Sequence, residues 1–311
     1  MRVSTPGLFN SSVANIFQQQ AAVAKAQADV SAGLKFTSAG QNPSGMSQVL
    51  ALEQAQAEHT QLTSNVVTLR QRMGVEESAL SSASDVLNRV RELAIQANTG
   101  TVSSENRKQI SSELIQLKSQ LVDIANTTDG IGHYIFGGTL DGSAPFAEGV
   151  TTISYAGTQT VREIAVGEGR SIAEGDTGDA TFLRVDNGRG GNTDLFARVQ
   201  QVIDATLGDT STPAARTANT AQFATAIGDL DTGLVHLSNV RTYVGARLAT
   251  LDDVENRLQG QDVQLQTTLS EVRDLDYAES ISRLQLHSLS LQAAQSAFAK
   301  VQGLSLFNYL R

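Results

Sequence analysis

The side chains of this chain that could take part in acid–base or metal chemistry are few and scattered. Its four histidines, His59, His133, His236 and His287, show none of the spacings that are typical of metal ligands. His59 lies three residues before Leu62 on an apolar heptad series, which favours packing inside a helical bundle. The absence of cysteine excludes disulfides, thiolate metal sites and cysteine nucleophiles.

Acidic residues form two further candidate groups. In the stretch DLDYAES, the carboxylates Asp274, Asp276 and Glu279 could supply a general acid–base pair, but a solvated helix face is the favoured interpretation. The acidic residues of the glycine-rich centre are Asp176, Asp179 and Asp186. They lack calcium-loop spacing, so ordinary β-turns are predicted. We therefore predict no catalytic residue, no cofactor and no metal, and an enzyme is the least favoured class.

The overall composition limits the possible partners. The 311 residues include 32 acidic and 23 basic side chains, a net charge of −9, which argues against nucleic acid as a partner. The sequence contains no run of 18 or more apolar residues, so no membrane insertion is predicted. It begins without the apolar core of a cleavable signal peptide. If the protein leaves the cell, we expect a different export route.

The spacing of proline predicts long helices. The four prolines are Pro6, Pro43, Pro145 and Pro213. They leave two proline-free tracts, and long helices need such tracts because an internal proline costs about 3 kcal/mol. In the first tract, apolar residues recur at steps of three and four, and only Glu76 interrupts them. This pattern predicts a helix over 46–98 and an antiparallel partner helix that starts after Ser103.

The second tract and the glycine-rich centre complete the body. Apolar residues from Phe223 to Leu275 follow heptads with one shift of phase, which changes local supercoiling without ending a helix. Between them, residues 130–191 hold 14 of the 26 glycines together with short β-branched runs. This composition predicts a small β-rich module over about 134–192 that projects from the helices.

Both chain ends carry a weaker heptad pattern. Near the start, Gln20 and Gln27 fall in the apolar seam, and Ser288 and Gln295 do so near the end. Polar seam residues weaken a two-helix coil but allow many copies to pack together. The last eleven residues are unusually apolar for a chain end. The candidate assembly residues are Phe9, Val13, Ile16, Val23, Val30, Leu34, Ile281, Leu291, Phe298, Leu304, Leu306, Phe307 and Tyr309.

Three stretches resemble a known family. SAGLKFTSAGQNPSGMSQVLALEQAQA (31–57), GHYIFGGTLDGSAPF (132–146) and AFAKVQGLSLFNYL (297–310) resemble the bacterial flagellin superfamily. The Phe-Gly-Gly-Thr turn, Pro43 and the Phe-Asn-Tyr ending are more similar to its hook–filament junction branch than to filament flagellins. Gln41-Asn42 departs from the acidic pair usual in that branch.

The resemblance implies a fold and its divisions. We expect a mainly α protein with a β-rich insertion, built as a long antiparallel coiled-coil helical rod of the flagellin type. Its N- and C-terminal helices would pair on assembly. The expected divisions are an N-terminal assembly helix (1–42), two parts of the helical rod (43–133 and 193–269), the β-rich module (134–192) and a C-terminal assembly helix (270–311).

The resemblance also implies a role. Such proteins are exported unfolded through the flagellar type III apparatus to the extracellular flagellum. There they form a junction ring between the first hook-associated protein and the flagellin filament, without catalysis. The implied partners are further copies of the chain, the first hook-associated protein, flagellin and an export chaperone. Two alternatives remain at this point: a short flagellin that forms the filament itself, and a soluble coiled-coil binding module.

Overall fold

Long helices and short two-stranded hairpins form the part of this protein that the structure describes. The computed structural model describes residues 5–99, 102–149 and 152–309, with the side chains of residues 5, 6, 8, 301 and 303–309 left outside that description. The helices are α1 Thr5–Ala32, α2 Pro43–Ala97, α3 Ser104–Ala125, α4 Leu195–Leu207, α5 Pro213–Arg273 and α6 Tyr277–Tyr309. The strands are β1 Phe146–Glu148, β2 Ile153–Tyr155, β3 Glu163–Gly167, β4 Arg170–Ala173, β5 Val185–Asp186 and β6 Asn192–Thr193. A mainly α fold with a β-rich insertion is therefore confirmed.

The chain forms two compact units. The terminal unit comprises Met1–His59 and Gln259–Arg311, and the central unit comprises Thr60–Leu258. The finer division into five segments stays a prediction.

In the central unit, α2 runs antiparallel to α5. Arg70 pairs with Asp252, while further along α2 Glu77 pairs with Arg241 at 2.6 Å. A later residue of α2 thus pairs with an earlier residue of α5, as expected for antiparallel helices. The heptad residues of α2 face inward, and those with no exposed surface include Leu69, Met73, Leu80, Leu87 and Val90. Each such side chain contributes roughly 1.5–3 kcal/mol when it is fully buried.

Local capping explains where these helices begin. The Asn42 side chain accepts a 3.0 Å bond from the Gly45 amide, so α2 starts at Pro43, a favoured first helical residue. Ser103 caps α3 by accepting from the Asn106 amide. The observed helix α2 thus starts three residues before the predicted residue 46 and ends one residue before the predicted residue 98. The predicted start of this helix after Ser103 is confirmed.

The β-rich insertion packs on an aromatic cluster. Phe146 and Phe182 lie edge to face with ring centroids 5.7 Å apart, and Phe196 of α4 contacts both. Asn126, at the end of α3, binds both the backbone N–H and C=O of Phe146 at 2.9 Å. The side-chain amide of Asn126 thus pairs with the Phe146 backbone as a neighbouring strand would, and this links β1 to the end of α3.

The β-turns predicted at Asp176 and Asp179 are wrong, and Asp176 lies in a segment without a turn. Asp179 does not lie in a β-turn but opens a π-helical turn, Asp179–Leu183, and its carboxylate pairs with Arg184 at 2.7 Å. The side chain of Phe182, which belongs to this turn, has no exposed surface. The burial of Phe182 against Phe136, Phe146 and Phe196 therefore prevails over the local turn chemistry of the acidic residue.

Candidate assembly interface

In the terminal unit, α1 packs along α6. The seam residues of α1 that are half-buried include Val13, Ile16, Val23 and Val30, as their spacing predicts. On α6 the inward residues follow steps of three and four: Ser280, Leu284, His287, Leu291, Ala294 and Phe298. Near the start of α1, the rings of Phe9 and Phe298 are in contact, with centroids 5.3 Å apart. The first and last helices are thus paired within one chain.

The polar seam positions differ from the sequence prediction. Gln20 and Gln27 are exposed, whereas Gln19 and Ala26 turn inward in their place. The expected three–four phase of α1 is therefore displaced by one residue at these two positions. Gln19 Oε1 is buried without a hydrogen-bond partner, which weakens the isolated pair.

The predicted seam of α6 is also partly wrong. Ser288 and Gln295 lie outside the seam, as does Ile281, which is more than two-fifths exposed. The cause is a break between α5 and α6. Asp276 caps α6 afresh by accepting from the amides of Ala278 and Glu279 at 2.9 and 3.1 Å, so the heptad phase restarts there.

A short backbone clasp lies at the base of the pair. Leu34 forms an antiparallel bridge with Asp274, since the Lys35 amide donates to Arg273 and the Leu275 amide donates to Gly33. Hydrogen bonds from the side chains of Arg273 and Ser270 lower the pKa of Asp274 below its usual range. The clasp therefore holds the loop after α1 against the break between α5 and α6.

The four remaining candidates, Leu304, Leu306, Phe307 and Tyr309, belong to the backbone of α6, but their side chains lie outside the described residues.

Apolar side chains also point away from the α1–α6 seam. The largest include Phe17 on α1, 65% exposed, with Leu286 and Leu289 on α6, 63% and 66% exposed. Sequence reasoning missed these three residues because it looked for a two-helix seam and assigned apolar positions to it. For the two leucines, the signal was the excess of leucine between seam positions in RLQLHSLSLQ. This uncovered surface is the structural feature that most resembles an interface with other chains.

A charged cleft of about 230 Å³ lies beside the clasp. Its lining includes Asp29 and Glu279 together with Lys35 and Arg283, so both signs of charge are present. Among the described residues, no cluster of acidic or histidine side chains is arranged to hold a metal ion. No described helix combines the length and the apolar character needed to cross a membrane.

Comparison with known proteins identifies the family. The family model for the bacterial flagellin N-terminal helical region matches residues 3–141, and that for the corresponding C-terminal helical region matches residues 227–310. Flagellar hook-associated protein 3 of Escherichia coli (strain K12) is 31% identical over 323 residues that cover 99% of both chains. The chain belongs to the flagellar hook-associated protein 3 family.

Further comparisons agree with membership of the hook-associated protein 3 family. The protein of the same name from Salmonella typhimurium is 28% identical over the full length of both chains. The crystal structure of flagellar hook-associated protein 3 from Legionella pneumophila has a similar fold. It has a TM-score of 0.68 and 20% identity and covers 72% of this chain and 98% of its own. As a member of this family, the chain is a structural component of the bacterial flagellum and not an enzyme.

Proposed function

We propose that this protein assembles into the junction ring between the first hook-associated protein at the end of the hook and the flagellin filament. The observation that carries the proposal is the apolar surface on the paired helices α1 and α6, where Phe17, Leu286 and Leu289 lack cover. We expect neighbouring copies of the same helix pair to cover this apolar surface. In a ring, each pair would lie between two others and bury both of its flanks.

The energetics favour pairing that is completed by assembly. The seam of α1 and α6 is only half-buried, and it includes the unpartnered side chain of Gln19. Ordering a helical residue costs about 1–2 kcal/mol of backbone entropy, whereas each Å² of apolar surface that is removed from water returns about 25 cal/mol. Contacts with neighbouring chains therefore add stability that one pair of helices lacks.

Export also fits this surface. We propose that the protein reaches the extracellular flagellum through the type III apparatus, and that an export chaperone covers α6 before secretion. Its exposed leucines and the absence of an acidic side chain over residues 280–311 suit an amphipathic partner groove. Coprecipitation of the chaperone with the full chain, but not with a Leu286→Asp/Leu289→Asp variant, is the expected result.

The assembly proposal is tested on isolated hooks that carry the first hook-associated protein. The Leu286→Asp/Leu289→Asp variant places two carboxylates on surface that the single chain leaves exposed, so folding should persist. In the ring, the same carboxylates would be buried without partners, which costs several kcal/mol. Electron microscopy should show a short terminal band with the wild-type protein and none with the variant.

A matched control separates interface effects from general charge effects. Leu207→Asp/Val235→Asp also changes two exposed apolar residues, but both lie in the central unit. This control should still form the band and permit flagellin to extend from it. Normal assembly by the α6 variant would exclude the proposed surface. Long filaments from the wild-type protein alone would favour the short-flagellin alternative, and failure to bind hooks at all would favour a soluble binding module.

A further inference from the structure

Glu76 is the residue that interrupts the apolar heptads of α2, and its side chain is 0% exposed. Its Oε1 accepts a 2.9 Å bond from the backbone N–H of Asp176, in the segment that follows β4. Its Oε2 is buried and has no hydrogen-bond partner. A buried carboxyl group on α2 therefore holds the β-rich insertion through the Asp176 amide, and the Asp176 side chain lies close to the same carboxyl group.

Two charged groups face Glu76 from the elements packed against it. Asp176 comes from the segment after β4, and Arg247 comes from α5. Arg247 already pairs with the carboxylate of Asp176, and it donates to the Gly175 carbonyl at 3.2 Å. Its Nε is buried without an acceptor. If Glu76 ionises, two carboxylates share one guanidinium, and a net negative charge is left in the interior.

The neighbouring charges on α2 are otherwise engaged. Arg72, one turn earlier, pairs with Asp129 at 3.2 Å and lies 3.5 Å from Glu174, while Glu77 pairs with Arg241. Burial, reinforced by the charge of Asp176, raises the pKa of Glu76 to about 8 despite the opposing effect of Arg247. At neutral pH the buried carboxyl group is therefore largely protonated.

We propose that Glu76 is a pH-sensitive latch that attaches the segment after β4 to α2 when protonated and releases it as the pH rises. In the attached form, the neutral carboxyl group accepts from the Asp176 amide and adds no charge to the Asp176–Arg247 pair. In the released form, the segment containing Gly175 and Asp176 separates from α2, and water reaches the carboxylate. The inference concerns the central unit and does not depend on the assembly role.

The sign of the pH dependence follows from proton linkage. The attached form holds the Glu76 proton more tightly than the released form, where the pKa is the ordinary value of 4.5. Attachment is therefore strongest below about 4.5 and is lost progressively as the pH rises toward about 8. Because one proton is linked, the opening equilibrium rises by at most about tenfold per pH unit and then levels off.

Amide hydrogen exchange of the purified full chain tests the latch at the Asp176 N–H. After correction for intrinsic exchange, wild-type protection should fall from pH 5 to pH 8 by up to about tenfold per unit. Glu76→Gln keeps an amide oxygen as acceptor but cannot ionise, so its profile should be flat. Glu77→Gln, which removes the adjacent carboxylate from the half-buried pair with Arg241, should keep the wild-type slope.

A flat wild-type profile, or a Glu76→Gln profile with the wild-type slope, would overturn the proposal. A direct titration avoids dependence on the variant's folding. The side-chain carboxyl of Glu76 in the wild-type protein, followed by carbon NMR, should titrate near pH 8. Titration near 4.5 would equally reject the latch.

Discussion

Arg198 shows how much a single residue can organise in the central unit. Its side chain is 0% exposed on α4, and it donates hydrogen bonds to the backbone carbonyls of Val185, Asp186, Thr193 and Asp229. These carbonyls come from the β5–β6 hairpin and from α5. One planar guanidinium, with five donors in a fixed fork, therefore joins three elements that are separate in the sequence.

Arg198→Met should strongly destabilise the central unit. Methionine fills a similar volume but leaves several buried carbonyls without donors, at about 1–3 kcal/mol for each one that water cannot reach. We expect a loss of roughly 3 kcal/mol or more in the free energy of unfolding, measured by urea denaturation.

Arg91→Met is the matched control, because Arg91 forms a 2.6 Å ion pair with Asp231 whose side chains are 40% and 49% exposed to solvent. Exposed pairs contribute little, so a much smaller loss is expected. Equal losses for the two variants would mean that the Arg198 hydrogen bonds add nothing beyond a surface ion pair.

At the scale of elements, the clasp joins the loop after α1 to the α5–α6 break at one end of the α1–α6 pair. Gly33, directly after α1, has a φ of +68°, a backbone conformation that residues with a side chain rarely adopt. A Cβ at this position would lie 2.7 Å from the hydroxyl of Tyr277, the first residue of α6. The start of α6 is thus packed directly against the turn that ends α1.

Gly33→Ala should loosen the pairing of α1 with α6. The substitution adds left-handed backbone strain of about 1–2 kcal/mol and a contact with Tyr277. Amide exchange should become faster over residues 10–35 and 277–300, while the central unit keeps its protection.

Gly260→Ala provides a control in the same unit. Gly260 lies inside α5, and a Cβ added there would meet no neighbouring side chain within 4 Å, so alanine should stabilise the helix by about 0.5–1 kcal/mol. If both alanines had the same effect on exchange, the clasp would have no specific role.

At the scale of the whole molecule, the two units differ in how much apolar surface they bury. The fully buried apolar residues of the central unit form one large cluster drawn from α2, α3, α4, α5 and the insertion. The described core of the terminal unit is small: it centres on Phe36, Val49 and Leu269. Local opening should therefore cost far less free energy in the terminal unit.

Limited proteolysis of the purified monomer should remove both chain ends first and leave a resistant fragment that contains residues 60–258. Mass spectrometry identifies the fragment, and far-UV circular dichroism checks that it stays helical. Digestion of the protein after incorporation at the hook should spare the ends. An intact monomer after digestion would contradict assembly-dependent pairing.

The sequence by itself determined the long helices and the residues at which three of them begin. Pro43, Asn42, Ser103 and Pro213 act through bonds within a few residues, so their effects can be predicted without neighbours. The apolar heptads likewise predicted which face of α2 is buried. The motifs of the chain were sufficient to indicate its superfamily, which the comparisons then confirmed.

The tertiary structure decided the features that depend on distant partners. In the sequence alone, Glu76 only interrupts a heptad, and Arg198 is an ordinary helical arginine. The role of Glu76 depends on Asp176 and Arg247, which pack beside it in the folded chain. The role of Arg198 depends on the backbone carbonyls of other elements that it binds. The frame of the α1–α6 seam depends on the new cap at Asp276, which restarts the helical phase. Periodicity gives the step between apolar residues, but only packing selects which of them lie inside and which, like Phe17 and Leu289, stay exposed.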